Sequence, residues 1–136
     1  MTKLVPILLL ALGGASGTLA RVGVAAAVTK MHGGPWPWGT FAVNALGCFL
    51  FGLLFGWIDR HHPFGPTAAL ALIGGFCGAF TTFSTFAFDT AQLGRTAGLT
   101  HALGNVLLHC VVGVLLMFVG LAVGARLGSA ASAGGG

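Results

Sequence analysis

The chain has 136 residues, of which 56% are hydrophobic and 6% charged, with a formal net charge of +4. Covering a soluble domain takes roughly 25% charged residues, so most of this surface must face lipid rather than water. The six Lys/Arg and two Asp/Glu are too dispersed for a nucleic-acid patch and suit a slight attraction to lipid headgroups.

The charges fall at Lys3, Arg21, Lys30, Asp59, Arg60, Asp89, Arg95 and Arg126, and between them lie long uncharged stretches. A spanning helix needs roughly 20 mostly apolar residues to cross about 30 Å of hydrocarbon. Backbone polar groups in lipid must be satisfied within the chain, so helices are required at this hydrophobicity. These rules predict a single all-α unit over residues 1–128 with spans near 4–28, 38–58, 67–90 and 99–125, followed by a flexible Gly-rich tail over 129–136.

In the first span, Lys3, the run Val5–Leu12 and the small residues Gly13–Gly17 resemble a secretory signal. The apolar pattern resumes after Arg21 as Val22–Val28, which favours a retained membrane helix. The turn Gly33-Gly34-Pro35-Trp36-Pro37-Trp38 leads to the second span, and its tryptophans suit an interfacial belt. His61-His62-Pro63-Phe64-Gly65-Pro66 joins spans two and three, and Thr90–Gly98 joins three and four. The adjacent His61 and His62 have no carboxylate or HxxxH pattern beside them, which points away from a metal centre and from an enzyme. Cys48, Cys77 and Cys110 each lie in a span without CxxC spacing and read as small hydrophobes.

Lys3, Arg60 and Arg126 fall on one side of the membrane, and Lys30 and Arg95 on the other. So weak a bias barely specifies a direction of insertion and suits an antiparallel homodimer. A bundle of four helices buries few positions on all sides, and its 24 glycines favour close helix–helix approach. Both features point to a homo-oligomer.

The third span is unusual between Gly74 and Thr85. Gly74, Gly75 and Gly78 are followed by the hydroxyl residues Thr81, Thr82, Ser84 and Thr85. The combination predicts a helix broken over Gly74–Thr85, although a continuous helix with a tight glycine crossing and back-bonded threonines remains open. Carbonyls freed by a break can coordinate a small hard cation. Phe83 and Phe86 share a helical face, either as packing or as ring edges that approach an anion.

Three stretches resemble the Fluc fluoride channels, also called the CrcB family: Gly13-Gly14-Ala15-Ser16-Gly17-Thr18-Leu19-Ala20-Arg21, Gly39-Thr40-Phe41-Ala42-Val43-Asn44, and Gly75–Phe86 with its TTFSTF run. The resemblance covers nearly the whole chain apart from the tail. It implies an antiparallel, dual-topology homodimer in the cell (inner) membrane, with two pores that passively export fluoride and relieve its toxicity. It also implies a structural Na⁺ at the dimer centre, held by the main-chain carbonyls of Gly78 and Thr81. Phe83 and Phe86 would form an aromatic box, with Asn44 donating beside them. Thr40, Ser84 and Thr85 would form a polar track, and Arg21 would attract anions at a vestibule. Taken alone, Asn44 also suits an interhelical hydrogen bond, and Arg21 suits snorkelling to the headgroups.

Two positions depart from the family pattern. Ala79 stands where glycine is common, and His109, four residues after Asn105, stands where serine is common. His109 reads either as a neutral interhelical hydrogen-bonder or as a titratable group at a pore entrance. The rival function is a small dual-topology transporter, either a fluoride/proton antiporter or an exporter of cationic drugs. An exporter needs a carboxylate in mid-membrane, and Asp59 and Asp89 both lie near span ends.

Overall fold

The computed structural model describes residues 4–127, so Lys3 and the Gly-rich tail lie outside the described residues. The described chain is helical, with four segments long and apolar enough to cross a membrane: Leu4–His32, Trp38–His61, Pro66–Thr96 and Leu99–Arg126. They are named α1 (Leu4–His32), α2 (Trp38–His61), α3 to α5 for the third span, and α6 (Leu99–Arg126).

α1 has 29 residues, about 43 Å at 1.5 Å per residue, which exceeds the hydrocarbon thickness and calls for tilt or protruding ends. Its polar end, through Thr29 and Lys30 to His32, extends the helix beyond the apolar run. Gly33 and Gly34 then take positive φ values of +57° and +79° and reverse the chain. α2 stops where His62 adopts the left-handed conformation, its amide donating to the Ile58 carbonyl at 2.8 Å. Pro63 follows and cannot continue the helix.

The third span starts as α3 (Pro66–Leu70), widens into a π-helical stretch (Ala71–Cys77), and closes with one α turn, α4 (Gly78–Phe80). Thr81 and Thr82 are extended, and α5 (Phe83–Thr96) resumes beyond them. The break is therefore narrower than the expected Gly74–Thr85. The glycine cluster stays helical because it serves a crossing: Gly75 lies against the Leu10 carbonyl and Gly13 of α1, while Gly13 and Gly17 lie against the backbone of Ala71 and Phe76. π-helical turns are rare and occur frequently at functional sites.

α2 and α6 form the other tight pair. Gly52 and Gly56 meet the backbone of Met117 and Leu121, and Gly120 and Gly124 meet the backbone of Phe49, Leu53 and Trp57. Small residues let the two helices approach to backbone contact, which provides van der Waals attraction where lipid removes any hydrophobic drive between helices. The remaining apolar surface is broad. Leu12, Leu19, Phe83, Leu107 and Phe118 are all strongly exposed in the single chain, as expected for surfaces facing lipid or a partner.

A Cβ at Gly120 would collide with main-chain atoms of α2, including the Leu53 amide at 2.8 Å. Gly120→Val is expected to destabilise the folded protein in detergent by about 1–3 kcal/mol, read as a lower unfolding temperature. Gly23→Ala, where an added Cβ meets no atom within 4 Å, is expected not to lower the unfolding temperature, since alanine favours a helix interior over glycine.

Candidate functional site

The site is built around the two extended residues of the third span. A break inside a membrane strands backbone groups that lipid cannot satisfy. α2 supplies the remedy through Asn44, whose Oδ1 accepts from the Thr82 amide at 2.8 Å while its Nδ2 donates to the Thr82 carbonyl at 3.1 Å. One side chain thus satisfies both polar groups of the same residue. Gly47, one turn along α2, permits this approach, since any Cβ there would collide with the Thr81 methyl and the Phe80 ring.

Thr82 is 8% exposed and caps the next helix. Its Oγ1 accepts from the Thr85 amide at 3.3 Å and lies 2.9 Å from Thr85 Oγ1 and 3.5 Å from Ser84 Oγ. Side-chain capping at this position satisfies a donor at the start of α5. Upstream, Thr81 Oγ1 donates back to the Cys77 carbonyl at 3.1 Å.

These bonds redirect two donors. In a continuous helix the Thr82 amide would serve the Gly78 carbonyl, and the Thr85 amide would serve the Thr81 carbonyl. Here the first goes to Asn44 and the second to the Thr82 hydroxyl. Gly78 and Thr81 therefore each have a main-chain oxygen released from its helical donor. Among the described residues no three His, Cys, Asp or Glu side chains gather as a metal site.

The expected site residues fall into two hollows that meet at Thr82. The first, of about 330 Å³, is lined by Asn44, Thr82, Phe83, Phe86 and His109, together with Cys48 and Cys110. The rings of Phe83 and Phe86 are 5.5 Å apart and tilted by 52°. Phe83 is 79% exposed, so its ring packs little against its own chain. The second hollow, of about 510 Å³, is more polar and is lined by Arg21, Thr40, Thr82, Ser84 and Thr85. The seven side chains singled out for an anion path are thus divided three and four between the hollows.

Two participants were not singled out from sequence. Thr82 lies at the junction, but within TTFSTF nothing distinguishes its hydroxyl from its neighbours. Asp89, on α5, accepts from Thr40 Oγ1 at 2.6 Å, although 49 positions separate them. The pairing joins the start of α2 to α5 and places a carboxylate beside the polar hollow. Behind the aromatic pair, Asn105 is fully buried; its Nδ2 donates to Thr90 Oγ1 at 2.8 Å, and Thr90 donates onward to the Phe86 carbonyl at 2.7 Å. This relay ties α6 to α5 at the turn that carries Phe86.

The family described as "CrcB-like protein, Camphor Resistance (CrcB)" matches residues 8–121. A protein of Dehalococcoides mccartyi named fluoride-specific ion channel FluC is 39% identical over 121 residues, covering 89% of this chain and 93% of its own. Proteins of the same name from Acidobacterium capsulatum and Nitratidesulfovibrio vulgaris are 42% and 43% identical, covering 86% and 87% of this chain and 94% and 95% of their own. The chain belongs to the CrcB family.

Asn44→Ala removes both bonds to Thr82 and leaves a buried amide unpaired. The expected loss is about 1–3 kcal/mol of stability, measured by unfolding in detergent. Thr82→Ala, which removes the cap but keeps the Asn44 bonds, is expected to cost about 1 kcal/mol.

Proposed function

We propose that this CrcB-family chain is a subunit of a passive fluoride channel in the cell membrane, exporting the ion down its gradient, and not an enzyme. The observation that carries the reading is the meeting of an amide, hydroxyls and two aromatic rings beside an interrupted helix within the membrane. The names of relatives about 40% identical over most of the chain support fluoride as the ion.

The chemistry suits a small, strongly hydrated anion. As water leaves fluoride, donors must replace it, and neutral donors bind without trapping. Conduction needs binding strong enough for entry and weak enough for release. Asn44 Nδ2 carries two hydrogens, of which one is committed to the Thr82 carbonyl and the other is available to an anion. The positive ring edges of Phe83 and Phe86 supplement it. Ser84 and Thr85 continue the route as hydroxyls, Thr40 lines it with its one proton committed to Asp89, and Arg21 raises the local anion concentration at its mouth.

The working unit is an antiparallel homodimer with two pores. The weak charge bias, together with a large apolar surface that includes the 79%-exposed Phe83, supports a second copy seated against this one. The Gly78 and Thr81 carbonyls, stripped of their helical donors, suit a structural Na⁺ shared by the two subunits at the centre. Such an ion would neutralise oxygens that lipid leaves unpaired.

The test is anion efflux from liposomes holding the purified protein. Rapid fluoride efflux with negligible chloride efflux is expected, and equal leakage of both, or none from folded protein, contradicts the reading. Phe83→Ala should lower fluoride efflux about tenfold, equivalent to about 1.4 kcal/mol of barrier, with little loss of folded protein. Exchanging sodium for a bulky organic cation throughout purification should lower the unfolding temperature, because a bound ion stabilises only the folded state. An unchanged melting curve argues against the sodium site.

A further inference from the structure

His109 belongs to the first hollow, yet the route just described makes no use of it. Its ring lies 4.5 Å from Phe86 and 5.3 Å, edge-on, from Phe41, so α5 and α2 hold it in place. Its Nδ1 lies 3.0 Å from the Asn105 carbonyl. A carbonyl can only accept, so Nδ1 must carry the proton in that contact. The neutral ring then has a bare lone pair at Nε2. That atom is buried and has no hydrogen-bond partner.

We propose that His109 is a proton-controlled positive charge beside the anion in this hollow, so that acid opens the pathway and alkali restrains it. The proposal rests on the fluoride reading above and deepens it. The neutral ring adds no charge to a path meant for an anion. Protonation at the buried Nε2 adds a positive charge, without disturbing the Nδ1 bond that holds the ring. The ring lines the hollow together with Asn44, Phe83 and Phe86, so its positive charge acts on an anion there, while Asn105 Oδ1, one helical turn back on α6, is likewise buried without a partner and can accept from the new N–H.

Few other titratable groups face it. From α2 there is Cys48 and on α6 itself Cys110, while on α5 the carboxylate of Asp89, three residues beyond Phe86, accepts from Thr40. His101 lies farther up α6 against Trp36, and His32 lies against Trp38. Arg21 lines the other hollow.

The experiment is fluoride efflux from liposomes between pH 8 and pH 5.5, with leakage from protein-free vesicles subtracted because hydrogen fluoride crosses bilayers unaided. The wild type is expected to speed up at least about fivefold towards acid, and H109Q, which cannot titrate, to give a flat profile. A flat or falling wild-type profile overturns the proposal, as does a rise that H109Q retains. Size-exclusion chromatography reports whether H109Q is folded; if it is not, H109S is read by the same criteria. Brisk efflux with a flat wild-type profile removes this proposal alone, while absence of fluoride efflux at every pH removes the channel reading with it.

Discussion

The two hydrogen bonds from Asn44 to Thr82 are the constraint on which the rest of the structure depends. A helix interrupted in lipid is tolerated only if its stranded backbone groups find partners. Asn44 is matched to the task because its side-chain amide presents a donor and an acceptor, as a peptide group does. With the Thr82 amide and carbonyl satisfied from α2, and the Thr85 amide satisfied by the Thr82 hydroxyl, the chain can stay extended for two residues and start a new helix. The released carbonyls of Gly78 and Thr81 and the placement of Phe83 and Phe86 on the first turn of α5 are consequences of this arrangement.

Glycine makes it reachable. Gly47 brings α2 against the break, Gly13 and Gly17 bring α1 against the π-helical stretch, and the glycines of α2 and α6 lock that pair together. Asn44 is thereby held on a rigid element rather than on a loop. A continuous series of rings also runs along this side of the molecule, from His32 and Trp38 through Phe41 and His109 to Phe86 and Phe83. It connects the turn after α1 with the first hollow and keeps His109 fixed between α2 and α5.

The four spans were legible because sparse charges bracket long apolar stretches, a signal that lipid imposes directly. Their ends were less legible: α1 reaches His32 because a helix continues through polar residues once it leaves the hydrocarbon. Gly74, Gly75 and Gly78 suggested unwinding, since sequence cannot tell a glycine that frees a backbone from one that admits a neighbour. Here the neighbour is α1, and the cluster stays helical as a π turn. The hydroxyl run marked the right region, but assigning the cap to Thr82 needed the position of Asn44, 38 residues away. The Thr40–Asp89 bond spans an even longer interval and has no local signature. Asn44 itself was anticipated as an anion donor or as an interhelical bond, and one of its two N–H groups is in fact committed to the Thr82 backbone.

The central claim is that the third span is interrupted at Thr81 and Thr82 and helical on both sides. Solid-state NMR of the ¹³C-labelled protein in lipid bilayers tests it directly, because Cα and Cβ shifts report backbone conformation residue by residue. The account predicts extended-chain shifts at Thr81 and Thr82, with helical shifts at Gly78–Phe80 and from Phe83 onward. Helical shifts running unbroken from Pro66 to Thr96 would contradict it.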